Sequence, residues 1–354
     1  MRYMKQKSNK RVIAILMICL CLLAGCGSKK AETNIKLGIA CVKSTQYESA
    51  LGYFKAAEDA GENKMQIYRG YGLAYIGLSK YTEAIDAFEK ALTYTTGTLT
   101  EYEYDINFYL ASAFYKTGRY TEARDVYNAI IKMHPKDKKT YYLLGLTYLA
   151  GGDYDAAKEN FDKCIALDKN DYSVYIDVYQ SLKESGYEEE GVTYLKSVMD
   201  KETSGMSNYD KGRICYYLGD YGNSCVYLEQ AYQVSTGEDV VLMLGRAYEA
   251  DGNLNYAATL FMKYIQTNPG SAIVMNELGL CKLKQEDYEG ALEAFQSAIA
   301  IPENGMMQTL AFNEIVAYEY LGEFRRAAVL MENYQASYPD DEIAQREYQF
   351  LKTR

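Results

Sequence analysis

Nine small or apolar residues recur along the chain at nearly constant spacing, and that spacing leaves few folds open. Gly38, Gly72, Ala111, Gly145, Tyr179, Gly212, Gly245, Gly279 and Ile315 are separated by 34, 39, 34, 34, 33, 33, 34 and 36 residues. Twelve residues after each anchor stands a second, mostly small residue: Ala50, Ala84, Ala123, Ala157, Gly191, Ser224, Ala257, Ala291 and Ala327. Sixteen after each stands a large one: Phe54, Phe88, Tyr127, Phe161, Leu195, Leu228, Phe261, Phe295 and Met331. A period of this length describes one supersecondary unit that buries its apolar side only by stacking on its neighbours. Two antiparallel helices approach closely where small residues meet at their crossing and large ones fill the flanks. The fifth unit departs from the rule with Tyr179, and Gly191 opposite is expected to supply the missing space.

The punctuation agrees with this reading. Gly118, Gly152, Gly186, Gly219, Gly252 and Gly322 fall seven residues after their anchors, where a first helix ends and a left-handed residue is useful. All four prolines, Pro135, Pro269, Pro302 and Pro339, lie at unit ends, where they separate one hairpin from the next. Tyr47, Tyr81, Tyr120, Tyr154, Tyr221 and Tyr288 sit nine after an anchor, at the start of a second helix. Period and pattern together resemble the tetratricopeptide repeat, a helix–turn–helix unit of 34 residues. The chain has no tryptophan, and Tyr68, Tyr141 and Tyr175 occupy the place, four before the anchor, where the family often carries one. The resemblance implies an all-α, right-handed superhelical solenoid of about nine units over residues 31–341. Residues 342–354 then form a C-terminal capping helix, as stacked arrays require.

The N-terminal end carries a different signal. Arg2, Lys5, Lys7, Lys10 and Arg11 precede an apolar stretch of 14 residues, Val12 to Gly25. That is too short to span a bilayer and is the shape of a secretory leader. Leu23-Ala24-Gly25-Cys26 resembles the lipobox of bacterial lipoproteins. The resemblance implies a signal peptide over 1–25, lipid attached to Cys26, and a short linker over 26–33. The mature chain would then be anchored to the cell membrane on its extracytoplasmic face. An ordinary secreted protein cut nearby is the alternative.

Charge and residue usage narrow the function. Without the five leader cations, 33 basic residues face 48 acidic ones, about −15 in all. Such a chain repels phosphate backbones, so nucleic acid is not expected as a partner. Cys41, Cys164, Cys215, Cys225 and Cys281 show no metal-ligand spacing and read as small apolar fillers, with a Cys215–Cys225 bridge as the alternative. The single histidine, His134, precedes Pro135 at a unit junction, a poor place for a catalytic base. No phosphate-binding glycine loop is present. Neither enzymatic activity nor a cofactor is expected.

The family resemblance implies a concave groove lined by first helices, and a protein or peptide partner held in it. Three rows, at −3, +1 and +4 from the anchors, are projected to face that groove. In the second to fourth units they supply Leu73, Ile76, Phe108, Tyr115, Tyr142, Leu146 and Leu149. In the sixth and seventh they supply Tyr209, Arg213, Tyr216 and Arg246. The groove is therefore expected to be apolar early in the array and basic–aromatic beyond its middle. The alternative is that these side chains pack between adjacent first helices. Arg213 and Arg246 share one repeat position and are candidates to receive a carboxylate together, or else to neutralise Asp210 and Glu249. A cell-wall glycan-binding or envelope-assembly lipoprotein is the competing function.

Overall fold

The computed structural model describes residues 33–95, 101–199 and 205–354. Cys26 and the proposed leader lie outside the described residues. Within them the chain is all-helical, with nineteen helices and no strand. They fall into two compact bodies, one ending at Leu167 and one running from Asp168 to Arg354.

The first body is a stack of four hairpins. These are α1 (Asn34–Lys43) with α2 (Tyr47–Asp59), α3 (Lys64–Gly77) with α4 (Tyr81–Leu92), α5 (Glu101–Lys116) with α6 (Tyr120–Met133), and α7 (Lys138–Ala150) with α8 (Tyr154–Leu167). The second body holds five more. They are α9 (Tyr172–Glu184) with α10 (Glu188–Met199), α11 (Asn208–Tyr217) with α12 (Tyr221–Val234), α13 (Glu238–Ala250) with α14 (Leu254–Thr267), α15 (Ala272–Lys284) with α16 (Tyr288–Ile299), and α17 (Met307–Tyr320) with α18 (Phe324–Ser337). A last helix, α19 (Glu342–Leu351), packs on α18.

Several first helices begin on short polar caps. Asn63 accepts from the amide of Gln66 at 3.0 Å, Ser207 from Asp210 at 3.1 Å and Ser271 from Val274 at 3.3 Å. Each such cap satisfies an orphan donor and contributes about 1 kcal/mol. All four prolines lie in turns between hairpins.

The core of each hairpin is a lock between the anchor and the large residue sixteen positions later. A Cβ built on Gly145 would lie 2.6 Å from the Phe161 ring, and one on Gly38 would lie 2.5 Å from Phe54. Gly72 meets Phe88, Gly212 meets Leu228, Gly245 meets Phe261 and Gly279 meets Phe295 in the same way. The large residues sixteen after the anchors are almost wholly buried, from Phe54 at 0% exposure to Tyr127 at 1%. Ser224 donates to the carbonyl of Gly212 at 2.8 Å, stitching the sixth crossing with a hydroxyl where other units carry alanine. At the fifth crossing a Cβ on Gly191 would lie 3.1 Å from Tyr179, so the glycine has moved to the opposite helix.

Every turn inside a hairpin is built alike. The six glycines seven after their anchors all have positive φ, from +75° at Gly118 and Gly322 to +86° at Gly186. Thr45 (φ 59°), Ser79 (φ 57°) and Glu286 (φ 61°) fill the same place in the other three units. In each the next amide returns to a carbonyl five residues back, as in Asn253 to Tyr248 at 2.7 Å and Asp287 to Lys282 at 3.0 Å. This is the Schellman closure, which needs a left-handed residue. L-residues occupy that region at a cost of roughly 1–2 kcal/mol, offset in part by the greater unfolded-state freedom of glycine. Ser79→Gly and Glu286→Gly should therefore each raise the unfolding free energy by about 0.5–1 kcal/mol. Gly252→Ala should lower it by a similar amount. Urea denaturation monitored by circular dichroism measures both signs.

The five internal cysteines are free thiols, and Cys164, Cys215, Cys225 and Cys281 are buried. The Cys215–Cys225 bridge is absent. Burial pushes the Cys215 and Cys225 thiols up to about 11 and that of Cys281 to about 12, so they remain protonated fillers.

Candidate functional site

The first helices carry the residues projected to face a ligand. In the first body Leu73 and Ile76 on α3 and Tyr115 on α5 are half-buried and rest on the core around Phe114 and Leu110. Tyr142 and Leu146 on α7 are half-buried too, with the Tyr142 ring 5.8 Å from that of Phe161. Five of the seven apolar candidates thus keep accessible surface on three successive first helices. Phe108 and Leu149 do not. They are only 8% and 7% exposed. Phe108 packs edge-on against Tyr127 at 6.3 Å, and the Lys139 ammonium stands 4.5 Å over its face. These two form the wall behind the face, because successive hairpins press together there.

The polar edge of this body is already spent on internal bonds. Arg69 is paired with Asp105, and its guanidinium lies 5.5 Å over the ring of Tyr102. Tyr104 donates to Asp137, which also takes the Thr140 hydroxyl at 2.7 Å. His134 is exposed, with its ring 4.9 Å edge-on from that of Tyr104. It lines a shallow recess with Met133, Pro135, Lys136 and the acidic residues Glu101, Asp105 and Asp137.

In the second body the basic–aromatic candidates take partners of their own. Arg213 donates to Ser173 at 3.1 Å, approaches Asp210 at 3.6 Å and lies 5.4 Å over the Tyr209 ring. Arg246 is paired with Glu277 of the following hairpin at 2.7 Å. Glu249, the expected partner of Arg246, is instead held by Lys284 at 2.5 Å. Each guanidinium therefore has its own carboxylate within the chain. Tyr209 and Tyr216 are half-buried, and burial pushes both phenols up, so they are hydrogen-bond donors at neutral pH. Tyr216 stands edge-on to Tyr217 at 5.4 Å.

Sequence reasoning within one unit did not find the bonds that tie first helices together. They include Arg69 to Asp105, Tyr104 to Asp137, Ser173 to Arg213, Arg246 to Glu277, Glu249 to Lys284 and Asn313 to Asn276 at 2.8 Å. Most partners stand between 31 and 37 residues apart, about one period, which is the signal that reveals them. Glu319 on α17 was missed as well. One of its carboxylate oxygens is buried without a hydrogen-bond partner among the described residues. Burial, and then the carboxylate of Glu347, raise its pKa to about 7.

Among the described residues no cluster of three or more His, Cys, Asp and Glu could hold a metal ion. No helix among them is long and apolar enough to cross a membrane. The arrangement is one of repeated helical hairpins presenting side-chain rows on their first helices, the architecture of a repeat scaffold. The chain belongs to the tetratricopeptide repeat family, whose profile matches residues 35–105, 97–138, 108–172 and 242–305, together more than half of it. A second tetratricopeptide repeat profile matches residues 207–236. The TPR repeat-containing protein MJ1428 of Methanocaldococcus jannaschii is 23% identical over 246 residues, 66% of this chain and 42% of that protein. Lipopolysaccharide assembly protein B of Escherichia coli K12 is 25% identical over 216 residues, 59% of this chain and 54% of that protein. The chain thus spans about half the length of the curated relatives it matches. Among solved structures, a tetratricopeptide repeat protein from Parabacteroides merdae is 17% identical, covering 80% of this chain and 97% of its own, with a TM-score of 0.45. MamA from Desulfovibrio magneticus is 22% identical, covering 51% and 99%, with a TM-score of 0.42.

Proposed function

We propose that this protein is a non-catalytic scaffold, lipid-anchored through Cys26 at the extracytoplasmic face of the cell membrane, that holds a protein or peptide segment on the first helices of its second to fourth hairpins. The observation that carries the reading is the half-buried apolar set Leu73, Ile76, Tyr115, Tyr142 and Leu146 on α3, α5 and α7. A row of this kind offers anchor pockets to an amphipathic or extended segment without a conformational change. The basic–aromatic row of the second body is the weaker candidate, because its arginines are occupied. Substitution tests the assignment. A photo-reactive residue placed at Tyr115 should crosslink a discrete partner in membranes, and Leu73→Asp with Leu146→Asp should cut that capture at least tenfold, about 1.4 kcal/mol, with unchanged helicity. Equal capture by the double variant, or crosslinking equally strong from an outer-face position such as Val329, sinks the groove reading.

One comparison favours a second reading, envelope assembly, since lipopolysaccharide assembly protein B is among the similar proteins. On that reading the partner is an envelope-assembly component, or a cell-wall glycan bound directly. Sedimentation with purified cell wall separates the glycan case from a protein partner.

A further inference from the structure

The helix α19 carries a buried apolar face and, beside it, an exposed stripe with a large apolar residue at each end and two charges between. Ala344 and Leu351 are buried against the cluster formed by Ile315, Tyr318, Met331 and Tyr334, with Tyr348 packed beside them. The other stripe runs Ile343, Arg346, Glu347, Phe350, the i, i+3, i+4, i+7 spacing of a helix-pairing face. Ile343 is 61% exposed and Phe350 is 42% exposed, with the Arg354 guanidinium 4.7 Å over the Phe350 ring. Two large apolar side chains thus stand open on one side of α19.

The charges on this stripe have no ion-pair partner among the described residues. Arg346 makes no ion pair among the described residues, and its Nε donates to the carbonyl of Glu342 at 3.3 Å. Glu347 stands beside Glu319, a second carboxylate with a buried oxygen that has no partner among the described residues. The face therefore presents Arg346 without an ion-pair partner among the described residues and, one residue on, the half-buried Glu347 beside Glu319 of α17.

The stripe is its own complement when reversed. We infer that α19 pairs antiparallel with α19 of a second copy of this chain, about a twofold axis passing between Arg346 and Glu347. In that register Ile343 of each copy meets Phe350 of the other, and Arg346 of each meets Glu347 of the other. An isologous contact has this self-complementary form. Each guanidinium supplies the cation that the Glu319–Glu347 pair lacks, and both apolar side chains leave water. Two helices of 10 residues cover less than the roughly 1,200 Å² of a stable specific interface, so weak, concentration-dependent association is expected.

Sedimentation velocity on the full chain in mild detergent, over a range of micromolar concentrations, tests the pairing. The wild-type chain should dimerise as concentration rises. Ile343→Lys should weaken the dimer at least tenfold, and so should Arg346→Glu or Glu347→Arg alone. The combined Arg346→Glu, Glu347→Arg chain should recover most of the wild-type affinity, because the exchanged charges again face opposite signs. Circular dichroism checks that each variant keeps its helices. A wild-type chain that stays monomeric overturns the inference. So does a dimer insensitive to Ile343→Lys and Arg346→Glu, which would place self-association elsewhere, for instance at the lipid anchor. Failure of the double exchange to recover affinity in a folded protein overturns it also.

Discussion

Gly245→Val is expected to destabilise the seventh hairpin by about 3 kcal/mol, among the largest effects of any single change in the chain. The Cβ that any residue other than glycine brings would overlap the Phe261 ring. That ring is fully buried, so it cannot swing aside into solvent. Around it lie Val241, Leu244 and Ala257, all between 0% and 1% exposed, and the helices themselves would have to part. Phe261→Leu in the same chain should restore more than half of the loss, as judged by a double-mutant cycle in urea. Where the anchor is Ile315, the residue sixteen further on is Met331 and carries no ring. Hydrogen exchange should place the loss in α13 and α14 and their immediate neighbours, since repeats couple to nearest neighbours. Full stability in the Gly245→Val chain would show that the crossing is looser than the geometry described.

The second large effect concerns Cys26. If its thiol carries the proposed diacylglycerol group, nearly all of the wild-type protein should fractionate with membranes, since two acyl chains give stable anchoring where one does not. Cys26→Ser should leave it unprocessed or release it to the soluble fraction. Cys41→Ser should change neither outcome, because that side chain is packed with Ile35, Ile39 and Val42 against the first hairpin's core. Normal processing and membrane retention of the Cys26→Ser chain would refute the lipoprotein reading. Extraction by detergent but not by salt distinguishes the lipid from electrostatic adhesion.

Much of the fold was legible because its rules act within one repeat. A glycine at the anchor and a large residue sixteen later are local facts, and the structure places them in contact at six crossings, five with a ring and one with Leu228. Six of the nine left-handed turns were marked by glycine. The other three were hidden because Thr45, Ser79 and Glu286 adopt the conformation without the residue that advertises it. Their phase, seven after an anchor, was the surviving clue. The candidate site was less legible because its rules act between repeats. Arg246 was read against Glu249 one turn away, whereas its partner is Glu277 on the next first helix. Phe108 and Leu149 were projected outward from their row, yet both are buried. Row position gives the direction of a side chain and says little about how tightly the neighbouring hairpin closes over it.

The two kinds of contact have opposite consequences for how such a chain can be rearranged. The glycine–ring lock is nearly the same in most hairpins, so a hairpin moved elsewhere along the chain would carry its own core with it. The bonds between first helices are not interchangeable. Tyr104 to Asp137 joins a phenol to a carboxylate, Arg246 to Glu277 a guanidinium to a carboxylate, and Asn313 to Asn276 two amides. A hairpin shuffled to a new place would arrive with the wrong half of a key. Duplication and loss of whole units are cheap for the lock and costly for the keys, and the order of hairpins is therefore inscribed on their inner edges rather than in their cores.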